Sequence, residues 1–201
     1  MSTFVTLGPP NSNHDFVLRR YLRAHGLLDL ERVRIELVDD FHQGARMLID
    51  GRADFMLQCA VHPSAAEITG AFRRQVFVVD AFISRSRPMS LLMAQDHDAG
   101  QLPRRVGLQP ATREYADLSR WSEAVLEPTV TAVGEGLLAK KYEAGIAFSS
   151  LLEEYPGRFQ VLEDVGAICD AWVVFGTAAV DKGKAVVWTD SPVARLYRDA
   201  A

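Results

Sequence analysis

The sequence predicts an α/β protein of two lobes with a cleft between them. Three observations carry that expectation. Short apolar runs alternate with helix-periodic segments from end to end, the pattern of largely parallel sheets. The segment TVTAVGEGLLAKKYEAGIAF (Thr129 to Phe148) repeats in outline the earlier FHQGARMLIDGRADFML (Phe41 to Leu57): helix, turn, short strand. Finally, the long run VFVVDAFIS (Val76 to Ser84) can pass from one half to the other, because the pattern restarts after it. A chain of 201 residues suffices for one core or for two small lobes sharing a hinge.

Taken in order, Phe4, Val5 and Leu7 form a β-type run that stops at Gly8-Pro9-Pro10. Asn11, Ser12, Asn13 and His14 follow, and Val17, Tyr21 and Ala24 recur at helical spacing up to a stop at Gly26. Val33 to Val38 alternates as a strand. Phe41, Ala45 and Leu48 mark a second helix ending at Gly51, and Ala53 to Leu57 is the next strand. After the crossing, Met89 to Ala94 and Arg105 to Gln109 read as strands flanking a polar loop. Leu118, Trp121 and Val125 predict a helix from Thr112 to about Val125. Phe159 to Glu163 is expected to cross back. Ala171 to Gly176 and Ala185 to Trp188 read as strands of the first lobe. A closing helix would have Asp190 or Ser191 as cap, Pro192 in its first turn and Val193, Leu196 and Tyr197 as its apolar face. The expected boundaries are residues 1–82 with 162–201 for one lobe and 83–161 for the other.

Composition narrows the function classes. Hydrophobic residues are 48% and charged ones 24%, ordinary for a soluble globular protein. A net charge of -4 without a Lys/Arg-rich run argues against nucleic acid or an anionic membrane as partner. No apolar run approaches a membrane span of roughly 18 to 20 residues, and the N-terminus lacks a signal-peptide pattern, so a cytoplasmic location is expected. The two cysteines, Cys59 and Cys169, sit far apart in apolar segments and read as buried free thiols. A homodimer is left open.

Ligands of two-lobed α/β proteins bind where strand ends and helix N-termini face the cleft, since free N–H groups and the helix dipole favour anions there. Polar residues at strand C-termini are therefore the candidates: Asn11, Ser12 and Asn13; Gln58, His62 and Ser64 within QCAVHPS; Gln109 and Thr112; and Ser149. Helix capping is the alternative use of Asn11 to Asn13, of Gln109 and Thr112, and of Ser149 with Ser150. The five histidines are dispersed and no CxxC occurs, so no metal site is expected. Walker, dinucleotide and GxSxG fingerprints are missing as well, and no cofactor is expected. What remains is an unaided acid/base site or a plain binding cleft.

TLGPPNSNHDFVLRRYL resembles the GPxGTxS-helix opening of prephenate dehydratase domains, which have the two-lobed fold of type II periplasmic binding proteins. FHQGARMLIDGRADFMLQCAVHPS, LQPATREY, VTAVGEGLLAKKYEAGIAFSS and AICDAWVVFG extend the resemblance over nearly the whole chain. It implies that fold, with an interlobe cleft. The chain departs from the dehydratases at their Thr-Arg-Phe triplet, whose places are taken by Asp170, Ala171 and Trp172, and no regulatory domain is expected. Single-domain prephenate decarboxylases of bacilysin-type antibiotic pathways lack the triplet too. The turn Ser84 to Met89 is similar to theirs, with Arg85 or Arg87 implied as a carboxylate contact, and Trp172 matches a Trp on their last strand. The resemblance thus implies cofactor-independent, non-aromatising decarboxylation, with His62, Asp170 or a bound water protonating a ring carbon. A neutral-pH proton donor favours the histidine. A non-catalytic carboxylate-binding module and a residual dehydratase are the alternatives.

Overall fold

The computed structural model describes residues 1–28, 32–95 and 104–194. In the first sheet, β1 (Ser2–Leu7) runs parallel to β2 (Val33–Val38) and β3 (Phe55–Cys59). β4 (Phe77–Arg85) closes its far edge. In the second, β6 (Arg105–Leu108) runs parallel to β7 (Glu123–Leu126) and β8 (Ala144–Phe148). β5 (Met89–Ala94) lies antiparallel between β8 and β9 (Phe159–Gly166). β10 (Cys169–Gly176) does the same between β3 and β4. The orders are β2-β1-β3-β10-β4 and β7-β6-β8-β5-β9, so both sheets have one topology. Each fourth position is filled by the strand that has just crossed from the other sheet. The crossings fall at residues 86–88 and 167–168, and they are tied to each other: Ser86 N–H donates to Ile168 O (2.8 Å), and Ile168 N–H to Ser86 Oγ (2.9 Å).

Helices cover the sheets, which explains why several strands are apolar without alternation. α1 (Asn13–Ala24) buries Val17, Leu18 and Leu22 against Phe4, Leu57 and Trp172. α2 (Phe41–Ile49) packs Phe41, Ala45 and Leu48 against Val5 and Met56 on the opposite face. Capping sets where these helices begin. The Ser12 hydroxyl accepts from Asp15 N–H, and the Asp40 carboxylate accepts from Gln43 N–H. Gly26 (φ 66°) and Gly51 (φ 69°) end them in the left-handed region. α3 (Ala65–Ala71) follows β3. α4 (Val130–Leu138) is capped by Thr129 in the second sheet's layer, and α5 (Leu151–Glu154) follows β8. No helix among the described residues is long and apolar enough to cross a membrane.

Four expectations are corrected. The helix over Thr112 to Val125 is a 3₁₀ turn (Pro110–Tyr115) followed by a turn and β7. The Asp117 carboxylate accepts from Ser119 N–H, an Asx turn that competes with helix. Ala185 to Trp188 forms no strand; its side chains are exposed, and Trp188 Nε1 donates to Ala81 O on the outer strand β4. Phe159 to Glu163 belongs to β9 rather than to a crossing. Cys59 is a buried free thiol as expected, but Cys169 is exposed. Of the closing helix, Pro192 to Ala194 is helical and the Ser191 hydroxyl accepts from Ala194 N–H. Its Leu196 and Tyr197 lie outside the described residues, as does most of the polar loop after Ala94.

Candidate functional site

The C-terminal end of β1, the start of α1 and the turn after β3 face the 3₁₀ turn and the start of α4 across a cleft of about 90 Å³. A single water needs roughly 10 to 15 Å³ on this measure, so the space takes several waters or a small organic acid. From the first sheet's side come Leu7, Ser12, Asn13, His14, Cys59, Val61, His62 and Asp170. The second contributes Met89, Gln109, Thr112, Tyr115, Thr129, Val130, Thr131 and Phe148. No lysine or arginine lines it among the described residues. The first turns of α1 and α4 open on it instead, with Asp15 N–H capped by Ser12 Oγ and Ala132 N–H by Thr129 Oγ1.

Burial shifts the titratable groups in the cleft toward their uncharged forms. His14, the second residue of α1, packs its ring edge-on to Phe41 and Trp172, both with centroids at 5.2 Å, and to His62 at 5.6 Å. Burial, assisted by His62, pushes its pKa down from 6.5 to about 3. Burial also lowers that of His62. The Asp170 carboxyl is raised because it is partly withdrawn from water. The Tyr115 hydroxyl is raised by burial and then by Asp170 and Cys59, which places those three groups near one another across the cleft. Burial pushes the Cys59 thiol up to about 11, so it is not a thiolate at neutral pH. At neutral pH the cleft therefore offers neutral imidazoles, a phenol, a thiol and a carboxyl that keeps its proton more readily than a free aspartate. No three His, Cys, Asp or Glu side chains among the described residues form a metal-binding group.

The sequence-predicted residues divide into two sets. Ser12, Asn13, His62, Gln109, Thr112 and Asp170 line the cleft together. Two of them also serve as caps: Ser12 for α1, and Gln109, whose carboxamide oxygen accepts from Ala111 N–H, for the 3₁₀ turn. Asn13 Oδ1 accepts from the backbone N–H of Arg87 at 3.0 Å. Asn11, Gln58, Ser64, Arg85, Arg87, Ser149 and Trp172 stand outside the lining. Gln58 is fully buried and donates to Ser64 Oγ, which in turn lies 2.8 Å from His62 Nδ1. Arg85 is exposed. The Arg87 guanidinium stacks over Phe148 at 4.2 Å and donates to Asn11 O and Ser150 Oγ. The Ser149 hydroxyl pairs with Ser90 Oγ at 2.8 Å, and Ser150 makes no capping bond to α5. Trp172 is completely buried behind His14 and donates from Nε1 to Ser84 O.

Sequence reasoning missed His14, Tyr115, Thr129 and Thr131. His14 directly follows the residues chosen by the strand-end rule, and Tyr115 ends the LQPATREY segment. Thr129 and Thr131 were readable only as parts of a helix start. Thr131 Oγ1 is buried without a hydrogen-bond partner.

No protein-family model matches the chain, and no curated protein sequence does. Solved structures do. Prephenate dehydratase of Arthrobacter aurescens, in complex with L-Phe, superposes with a TM-score of 0.60 at 17% identity over 89% of this chain and 61% of that one. Prephenate dehydratase of Staphylococcus aureus gives 0.53 at 13% identity, over 87% and 66%. The periplasmic VFT2 domain of Bordetella pertussis BvgS gives 0.51 at 15%, over 88% and 80%. This chain spans about three fifths of the length of the Arthrobacter protein. At these identities the likeness concerns architecture, and on that ground the chain has the two-lobed α/β fold of prephenate dehydratases and periplasmic-binding domains.

Proposed function

We propose that the chain is a cofactor-independent lyase that removes carbon dioxide from prephenate, or a closely related cyclohexadienyl carboxylate, without making the ring aromatic. The observation that supports this reading most is the cleft itself: without Lys or Arg among its described lining residues, walled by Leu7, Val61, Met89 and Phe148, and bearing in Asp170 a carboxyl whose pKa burial raises. An arginine beside the departing carboxylate would stabilise its localised charge. An apolar wall instead favours the transition state, in which that charge has spread into the ring. The N-termini of α1 and α4 are suited to hold the pyruvyl carboxylate, which must stay.

The chemistry then balances without an added reagent. The bond from the quaternary ring carbon to its carboxylate breaks, the electron pair moves through the diene, and a distal ring carbon takes up a proton. Asp170, standing where a dehydratase carries its hydroxyl residue, delivers that proton and regains one from solvent. Burial raises the pKa of this carboxyl, which lessens its repulsion of the incoming acid. The ring hydroxyl is retained. His62 is the less suitable donor, because burial works against the protonated imidazole a donor must be.

A second reading, a non-catalytic receptor for a small carboxylate, is favoured by the same lack of Lys and Arg among the described lining residues. Incubation of the protein with prephenate at neutral pH, with products resolved by mass spectrometry against a protein-free control, separates the two. Loss of carbon dioxide alone is the expected result. Loss of carbon dioxide plus water at an enhanced rate would make the protein a dehydratase, and unchanged prephenate would make it a receptor or an enzyme for another acid.

A further inference from the structure

We propose that His14 and His62 form a two-donor seat for an oxygen of the bound acid, with the two rings fixed in opposite neutral tautomers. The inference rests on the reading that the cleft takes a carboxylate, and it names what replaces the missing cation.

The tautomers follow from backbone groups, which can only donate. The N–H of Cys59 donates to His14 Nε2 at 3.4 Å, so that nitrogen is bare and the ring proton sits on Nδ1. The N–H of Ser64 donates to His62 Nδ1 at 3.3 Å, so His62 carries its proton on Nε2. Ser64 Oγ, 2.8 Å from the same Nδ1, accepts from Gln58 Nε2 at 2.9 Å, which leaves the hydroxyl hydrogen for His62. Ser64 and Gln58 are thus positioning residues, acting on the ligand through His62 rather than touching it.

Neither His14 Nδ1 nor His62 Nε2 has a protein partner among the described residues, and both rings line the cleft. Neither nitrogen is among the side-chain atoms sealed off without a partner. The ring centroids are 5.6 Å apart with planes at 80°, so the two rings are direct neighbours in the cleft wall. Phe41 and Trp172 hold His14 in place, and Phe41 holds His62 at 5.0 Å. The ionisable groups elsewhere in the described lining are Asp170, Tyr115 and Cys59, and burial shifts each toward its uncharged form. Donors without charge hold a carboxylate without burying a cation beside it.

Side-chain nitrogen spectra of 15N-histidine-labelled protein at pH 6.5 test this directly, with phenylpyruvate as the probe acid. The expected result is one neutral Nδ1–H ring for His14 and one neutral Nε2–H ring for His62, with both protonated nitrogens shifting on saturation. Phenylpyruvate should bind about tenfold more weakly to His14→Phe and to His62→Gln, by the same factor from pH 6.5 to 8. The half-buried His62 site keeps the test valid should His14→Phe fail to fold. An imidazolium at either position, a His14 ring protonated on Nε2, or a wild-type protein that leaves both rings unmoved or does not bind phenylpyruvate overturns the proposal. Prephenate left unchanged by a protein whose two rings both respond to phenylpyruvate would sink the lyase reading alone. Turnover with neither ring moved would sink the seat alone.

Discussion

The ring of Tyr142 occupies the space that a Cβ on Gly107 or Gly136 would need, and its hydroxyl donates to Val133 O at 2.8 Å. Gly107→Ala should therefore cost about 1 to 3 kcal/mol of stability through overpacking, read by thermal or urea denaturation. Combining it with Tyr142→Leu should cost less than the sum of the two single changes, because the clash is then removed. His14 makes a pH prediction of definite sign. Its folded pKa of about 3 lies below the ordinary 6.5, so between those values the unfolded chain binds more protons and stability falls as pH falls. The slope should approach about 1.4 kcal/mol per pH unit in that window and flatten in His14→Phe. Asp170 acts in the opposite direction. Its raised pKa means the required proton is lost as pH rises, so turnover should decline on the alkaline side, and Asp170→Asn should lower kcat by about 10² to 10⁴.

Helix α1 shows how one residue can place an element and a site together. Ser12 accepts from Asp15 N–H and donates to Leu7 O, tying the helix start to the end of β1 and aiming Asn13 and His14 at the cleft. Ser12→Ala should cost about 1 kcal/mol in denaturation. This element was legible because its cap, apolar stripe and Gly26 stop all lie within one short segment. Much the same holds for α2 and the strands on either side of it, and α4 with β8 was legible as a repeat of that segment. The helix over Thr112 to Val125 was misread because Leu118, Trp121 and Val125 keep a helical period by accident. Trp121 N–H closes a turn onto Leu118 O, and Glu123 to Leu126 pairs with β6, a contact that local periodicity does not encode. Ala185 to Trp188 fails for the converse reason: it has strand propensity, but only the Trp188 side chain reaches β4. Within the site, strand-end polar residues were recognisable from sequence. That Gln58 and Ser64 point to His62 instead of the cleft depends on the turn's geometry, which no spacing rule supplies.

At the scale of the molecule, two sheets of one topology meet through two short crossings hydrogen-bonded to each other at Ser86 and Ile168. Arg87, beside them, spans the cleft's rim: its guanidinium joins Asn11 O of the β1–α1 turn to Ser150 Oγ after β8 while stacking on Phe148. That placement makes it a clasp between the lobes. Arg87→Ala should increase the radius of gyration in X-ray scattering and raise KM about tenfold with a smaller effect on kcat, and Arg87→Lys should not restore it, since an ammonium lacks the planar fork. Non-aromatising decarboxylation is tested most directly by following prephenate in D₂O with the wild-type protein and identifying the product by NMR and mass. The prediction is loss of carbon dioxide, retention of the ring hydroxyl and one new carbon-bound deuterium on a non-aromatic ring; an aromatic product, or prephenate consumed no faster than without protein, would contradict it.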